Sequence, residues 1–394
     1  MAPVELTLTG AQVLRPEGLT PGPLALSGGR IVAGPAGREV DLSGFLVLPG
    51  IVDVHGDGFE RHLAPRRGAM RDLAAGLVAA EAELAASGIT TATLAQFYSW
   101  EGGLRGPEFA ARVLEAHAAY RGTGTDMRMQ LRFETHMLED HPAFAELVAR
   151  FAVPYVVFND HLPHDRLAEG RSPRRLTGQA LKSGRSPEAH LAIMQVLHAR
   201  RAEVPEALAA LAARLAGQGV RLGSHDDRSA AERAAWRAMG VRVAEFPETR
   251  EAAEAAVAGG DHVVMGAPNV MRGGSHNGNV SAQDLAEAGL VRALASDYHF
   301  PSLRGAALLL AERLGLPAAW GLISDGPARV LGLDDRGRLA TGLRADLVVL
   351  EQATGRIGAT LAGGAVTYLS GEAAARFLGV APVARVAKGV FEER

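Results

Sequence analysis

The chain is expected to be an α/β protein: a (β/α)8 TIM-like barrel inserted into a small β-sandwich domain that both chain ends build together. Three observations carry that expectation. From Ile51 to about Asp325, short apolar runs alternate with helical stretches, which is the texture of parallel strands joined by right-handed crossovers. Eight such strand candidates can be counted, the number that closes a barrel. On either side of this region the chain changes to short strand-like pieces divided by Gly and Pro. The domain boundaries that follow are 1–49 plus 332–394 for the small β-domain and 50–331 for the barrel.

Taken in order, Glu5 to Leu8, Leu24 to Leu26, Arg30 to Val32 and Phe45 to Val47 read as strands of the N-terminal part. The barrel strands are expected at Ile51 to Val54, Thr90 to Leu94, Met129 to Phe133, Tyr155 to Phe158, Val220 to Gly223, Val241 to Glu245, His262 to Met265 and Arg292 to Ala295. Between them, Arg71 to Ala86, Ser229 to Met239 and Leu303 to Leu314 carry Ala, Leu, Glu and Arg at helical spacing. Ala345 to Leu350, Ile357 to Leu361 and Ala365 to Tyr368 return to strand texture and are expected to join the first 49 residues. One connection, residues 162–204, is long and rich in arginine, and reads equally as a lid or as a solvated insertion.

Composition limits the chemistry. A net charge of −3 without a basic block argues against general nucleic-acid or membrane-surface binding. Absence of cysteine removes disulfides, thiolate metal sites and cysteine nucleophiles, leaving His and carboxylate as the strong ligands. No leader-like segment and no run of roughly 20 apolar residues is found, so a soluble, cytoplasmic protein is expected.

Barrel enzymes place their chemistry at the carboxyl ends of strands. Here those ends read His55 and Asp57, Glu134, Asp160 and His161, His225, and Ser296-Asp297. His55 and Asp57 stand two apart on a strand that follows a Pro-Gly turn, so both side chains leave on one face. Each histidine taken singly reads as well as a hydrogen-bonded structural residue. Their recurrence at equivalent ends changes that: three imidazoles and three carboxylates suffice for one or two divalent cations, zinc first, with manganese or iron as alternatives. A cap on the helix that begins near Ser229 accounts for one of Asp226, Asp227 and Ser229, with Asp227 favoured. His117, His190 and His198 lie in helical segments and read as packing or surface residues, whereas His62, His136, His141, His164 and His299 fall in loops near the mouth. The stretch from Gly266 to Asn279 is glycine-rich, and its amides, Arg272 and His276 suit phosphate oxygens.

The His-x-acid after the first strand, the ligands at later strand ends and the split β-domain together resemble the amidohydrolase superfamily. The runs Leu48-Pro49-Gly50, Glu60 to Arg66, Ala86 to Thr91, Ser224-His225-Asp226-Asp227, Ala244-Glu245-Phe246-Pro247, Met265 to Asn279 and Leu294 to Tyr298 look like its PhnM-type members, attached to the carbon–phosphorus lyase pathway. That resemblance implies a diphosphatase acting on a ribose phosphonate triphosphate and releasing pyrophosphate. It implies His55, Asp57, Glu134, His161, His225 and Asp297 as metal ligands, with Asp297 also the catalytic base. It implies Arg61, Asp226, Asn269, Arg272, Ser275 and His276, with Arg304, on the substrate side, and a homodimer as an expectation from family barrels. The chain departs from the pattern at Asp57-Gly58 and at Leu162-Pro163-His164, both at the mouth. Hydrolysis of a C–N bond in a cyclic amide or N-acyl compound is therefore the alternative.

Overall fold

The computed structural model describes residues 2–64, 72–274 and 278–380. Eight strands, β1 (Ile51–Gly56), β2 (Ile89–Tyr98), β3 (Asp126–Glu134), β4 (Tyr155–Asn159), β5 (Arg221–His225), β6 (Val243–Glu245), β7 (His262–Gly266) and β8 (Ala293–Ala295), form one sheet in chain order. Each pairs in parallel with the next, as the alternating texture requires. All ten residues of β2 are buried, because a parallel strand is covered on both faces. Inside the barrel, Val54, Tyr155, Val157, Val243, Val264 and Ala295 pack in one apolar cluster, closed off by Val330.

The barrel closes at a seam between its first and last strands. Asp297 N–H donates to the His55 carbonyl at 3.0 Å, and the Asp297 carbonyl accepts from the N–H groups of Asp57 and Gly58 at 2.9 and 3.2 Å. Asp53, buried at the same place, accepts from the Ser296 amide at 3.0 Å and the Ser296 hydroxyl at 2.5 Å. The approach is close enough to demand glycine at position 56. A Cβ there would stand 2.6 Å from Asp53 Oδ2, 2.8 Å from Ser296 Oγ and 2.9 Å from a Phe300 ring carbon.

Both chain ends build the sandwich. Its four-stranded sheet runs Arg30–Val32, Leu24–Ser27, Leu6–Thr9, Arg38–Asp41, and its six-stranded sheet runs Ala365–Leu369, Ile357–Ala362, Leu347–Glu351, Phe45–Pro49, Gln12–Arg15, Gly18–Pro21. Leu6, Leu8, Leu24 and Leu26 of the first sheet meet Val47, Leu347, Val349 and Leu361 of the second in a single core. Phe45–Pro49 runs through Gly50 straight into β1, so the sandwich fixes where the first barrel strand begins. Trp320, fully buried beside the barrel, donates to the Pro49 carbonyl at 2.9 Å and holds that junction.

The helices lie near their expected places: Leu73–Ala86, Ala230–Ala238 and Ser302–Leu314, the expected start at Arg71 lying outside the described residues. One cap differs from expectation. Ser229, not Asp227, accepts from Glu232 N–H at 3.2 Å, while Asp227 is buried and accepts from Ser224 Oγ and Arg233, each at 2.9 Å. A buried carboxylate is better matched by a buried guanidinium than by a cap amide. Residues 162–204 hold the helices His164–Ala168, Leu176–Ser183 and Pro187–Ala199, docked where Arg185 donates to the carbonyls of Trp100 and Glu101 at 2.7 and 3.1 Å. Among the described residues no helix is long and apolar enough to cross a membrane.

Candidate metal centre

β1 delivers His55 to the seam, fully buried. Its Nδ1 lies 2.7 Å from Oε2 of Glu245, the last residue of β6 and also fully buried. Glu245 Oε1 accepts from Gln130 Nε2 of β3 at 2.8 Å and from the Tyr155 hydroxyl of β4 at 2.6 Å. A carboxylate surrounded by donors puts the imidazole proton on Nδ1. His55 Nε2 is left as a buried nitrogen with no hydrogen-bond partner.

β5 brings His225 beside it, the two ring centroids 5.7 Å apart. His225 Nε2 is 3.1 Å from an Arg132 guanidinium nitrogen, and its Nδ1 is 3.0 Å from Asp226 Oδ2. Arg132, on β3, also stands 3.7 Å from Asp57 Oδ2 and 4.0 Å over the Phe97 ring, so a permanent cation lies between Asp57 and His225. Phe246, just past β6, presents edge-on contacts to His55 at 5.2 Å and His225 at 4.9 Å and walls the pair off.

Glu134 at the end of β3 meets His161 beyond β4. Its Oε1 contacts His161 Nδ1, and its Oε2 accepts from the His161 amide at 3.1 Å and from Trp100 Nε1 at 3.3 Å. The His161 ring centroid is 6.4 Å from that of His225.

Charge and backbone both mark the place. Burial, then the neighbouring Asp57 charge, push the Asp297 carboxyl up to about 6 against the pull of His55, Arg132 and Arg272. Burial also works to raise the Asp226 carboxyl, but His225 and Arg132 outweigh it and hold that group at about 2. Asp226, Phe246 and Asp297 have φ of +63°, +53° and +56°, a conformation that side-chain-bearing residues rarely adopt and that gathers at functional sites.

The structure thus places His55, Asp57 and Asp297 at the seam and brings His225, from β5, to within 5.7 Å of the His55 ring, with Glu134 and His161 as an adjoining pair. A cavity of about 210 Å³ opens above, lined by Arg132, His225, Asp226, Asn269, Arg272 and Asp297. Asn269 has a second duty, accepting the Ala282 N–H at 3.0 Å. Arg272 donates to the Tyr298 hydroxyl. Arg61 is engaged elsewhere, on Glu83 and on the Tyr298 carbonyl at 3.0 Å, and it is not among the cavity's lining. Arg304 donates to the Gly355 carbonyl. Ser275 and His276 lie outside the described residues.

Two residues at this centre were given no role in it from the sequence. Glu245 ends a strand candidate just as the other acids do, and that position was its signal. Arg132 stands two residues before Glu134 and shares its face of β3. His55, His225 and Glu245 offer ligand atoms within 4.8 Å of one another. His55 Nε2, buried without a partner beside acids and a second imidazole, fits a divalent cation of the zinc type. Glu245 is taken up by His55 Nδ1, Gln130 and Tyr155, and Arg132 stands on His225 Nε2.

No family model matches the chain. It is 35% identical over 323 residues to the alpha-D-ribose 1-methylphosphonate 5-triphosphate diphosphatase of Escherichia coli, covering 79% of this chain and 85% of that protein. Among solved structures, a Xaa-Pro dipeptidase with bound methionine has a TM-score of 0.62 at 12% identity, covering 93% of this chain and 100% of the other. Molinate hydrolase has a TM-score of 0.61 at 13% identity, covering 93% and 95%. The beta-aspartyl dipeptidase of Fervidobacterium islandicum has a TM-score of 0.59 at 12% identity, covering 93% and 97%. At those identities the solved structures speak for the fold alone, and the curated relative speaks for the family. The chain is a hydrolase and belongs to the PhnM-type diphosphatase family.

Proposed function

We propose that this enzyme hydrolyses the triphosphate of a ribose phosphonate between its first and second phosphates, releasing pyrophosphate and leaving the 5-phosphate. The observation that carries the reading is that Arg132 and Arg272 share one cavity with the acid–imidazole centre. Guanidinium groups bind phosphate oxygens through paired N–H donors, and two of them in one cavity suit a polyanionic substrate. The activity printed for the Escherichia coli relative points the same way.

Candidate ligands for one or two divalent cations, zinc first, are His55, Asp57, Glu134, His161, His225 and Asp297. When bound, such ions supply Lewis acidity, lowering the pKa of water and offsetting charge at a phosphorus under attack. Glu245 holds the His55 ring by its Nδ1 proton and so aims the Nε2 lone pair. Asp297 takes the proton of the attacking water, a role that its carboxyl, raised to about 6, fits at neutral pH. Arg132 and Arg272 hold phosphate oxygens, and Asp226 and Asn269 line the same wall.

The test uses the purified full chain, stripped with a chelator and reloaded separately with zinc, manganese or iron(II). It is offered ribose and nucleoside triphosphates alongside dihydropyrimidines and hydantoins. Pyrophosphate release that depends on added metal is expected. Ring opening without pyrophosphate would overturn the reading and favour C–N bond hydrolysis.

A further inference from the structure

A second group of metal-binding side chains stands beside the centre and takes no part in it. His136 follows β3, Asp160 follows β4, His164 opens the helix His164–Ala168, and His198 sits near the end of the helix Pro187–Ala199. Asp160 Oδ1 is 3.5 Å from His136 Nδ1, and Asp160 Oδ2 is 2.9 Å from His164 Nε2. One ligand atom from each of these three residues lies within 4.8 Å of the others. The rings of His136 and His164 are 4.8 Å apart, centroid to centroid.

These spacings suit a small cation. Ligand atoms at about 2.0–2.1 Å from a tetrahedral zinc stand roughly 3.3 Å from one another. The two Asp160 contacts, one through each carboxylate oxygen, lie either side of that value, with Thr135 Oγ1 3.2 Å from His136 Nδ1 as the competing contact. The far nitrogen of His164 is also provided for, because its Nδ1 lies 2.7 Å from His198 Nδ1. Metal-bound histidines give their second ring N–H to an acceptor, most often a carboxylate, carbonyl or water. Here a neutral His198 Nδ1 fills that place, fixing the tautomer and turning the other lone pair of His164 inward. A packing role does not account for this arrangement. Two imidazoles converge on one carboxylate that is 40% exposed, and a third backs one of them.

We infer that His136, Asp160 and His164 form an additional site for a zinc-type divalent cation, with His198 as the residue that orients His164. Two nitrogens and one oxygen leave a coordination position open. A cavity of about 300 Å³ lined by Asp160, His164, His225 and Asp226 lies beside this group and joins it to the principal centre. The inference concerns cation binding alone and stands whether or not the diphosphatase reading does.

Equilibrium dialysis of the chelator-stripped full chain against Zn²⁺, and separately against Co²⁺, tests it. The wild type is expected to take up one more equivalent per chain than His136→Ala or His164→Ala. His225→Ala should lose metal from the principal centre while keeping the additional equivalent. His198→Ala should keep the stoichiometry and weaken that one equivalent by roughly 10- to 100-fold. Thermal unfolding of each variant without metal shows that the chain is folded, and the half-buried His164→Ala variant serves if the buried His136→Ala is not. Equal uptake and equal affinity in the wild type and the folded His164→Ala variant would overturn the inference and leave a hydrogen-bonded network.

Discussion

Glu245→Gln is the most searching single change at the principal centre, because it alters hydrogen count and charge while keeping volume. Three donors, His55 Nδ1–H, Gln130 Nε2 and the Tyr155 hydroxyl, converge on the two oxygens of Glu245. Glutamine offers one oxygen. Two of the donors already meet at Oε1, so the amide oxygen settles there and its NH2 faces His55 Nδ1. Two donors cannot share that contact, and the imidazole relieves the conflict by moving its proton to Nε2, which removes the lone pair offered to a cation. Loss of such an orienting partner weakens metal affinity by roughly 10- to 100-fold, or about 1.4 to 2.8 kcal/mol at about 1.4 kcal/mol per decade. Zinc titration of the stripped variant against wild type, read by calorimetry, measures it, with thermal unfolding as the control for folding. Zinc affinity within about twofold of wild type would refute the assignment of Glu245 as the group that aims His55.

Arg272→Gln removes one cation from the cavity wall. Charge-assisted hydrogen bonds contribute about 1.5–3 kcal/mol, so KM for a triphosphate should rise by at least about tenfold, and steady-state kinetics reads this directly. Glu81 accepts from the Tyr120 hydroxyl at 2.7 Å and from the N–H groups of Thr123, Gly124 and Thr125 at 2.8, 3.0 and 3.1 Å. Burial would raise its carboxyl, yet these donors outweigh burial and hold it below its ordinary 4.5. The stabilisation is therefore present above pH 4.5 and fades as pH falls below it. Glu81→Gln should lower stability by about 2 kcal/mol near pH 7, with the gap to wild type narrowing in acid, as followed by thermal melts across pH. Gly56→Ala forces a methyl group into three contacts under 3.0 Å at the barrel seam, so a loss of about 1–3 kcal/mol is expected; an unchanged melting temperature would show that the seam yields.

The barrel strands could be read from the sequence because burial on both faces leaves only apolar side chains over four or five positions, as in Tyr155-Val156-Val157-Phe158. Three strands of the sandwich could not. Arg38–Asp41 buries one residue of its four and is charged at the rest, and Gly18–Pro21 buries none, so neither carries an apolar alternation. Gln12–Arg15 hides its two apolar residues between polar ends. At the site, the acids and imidazoles at strand ends were legible because position along a strand decides which rim a side chain reaches. Partnership was not. Nothing local in the sequence pairs Glu245 with Gln130 and Tyr155 on strands far from it, or His164 with His198 across the helices between them. The capping of the helix at Ser229 was misassigned to Asp227 because the competing partner, Arg233, declares itself only once the helix is packed.

The joint between Asp297 and the segment from His55 to Gly58 has a bearing on how the protein is made. A ribosome releases the imidazole half early and the last carboxylate near the end of the barrel, so a growing chain carries scattered donors but no assembled reactive pocket. With Asp297 as the proposed base, a product cut short of it is expected to lack hydrolytic activity, whatever donors its earlier strands carry.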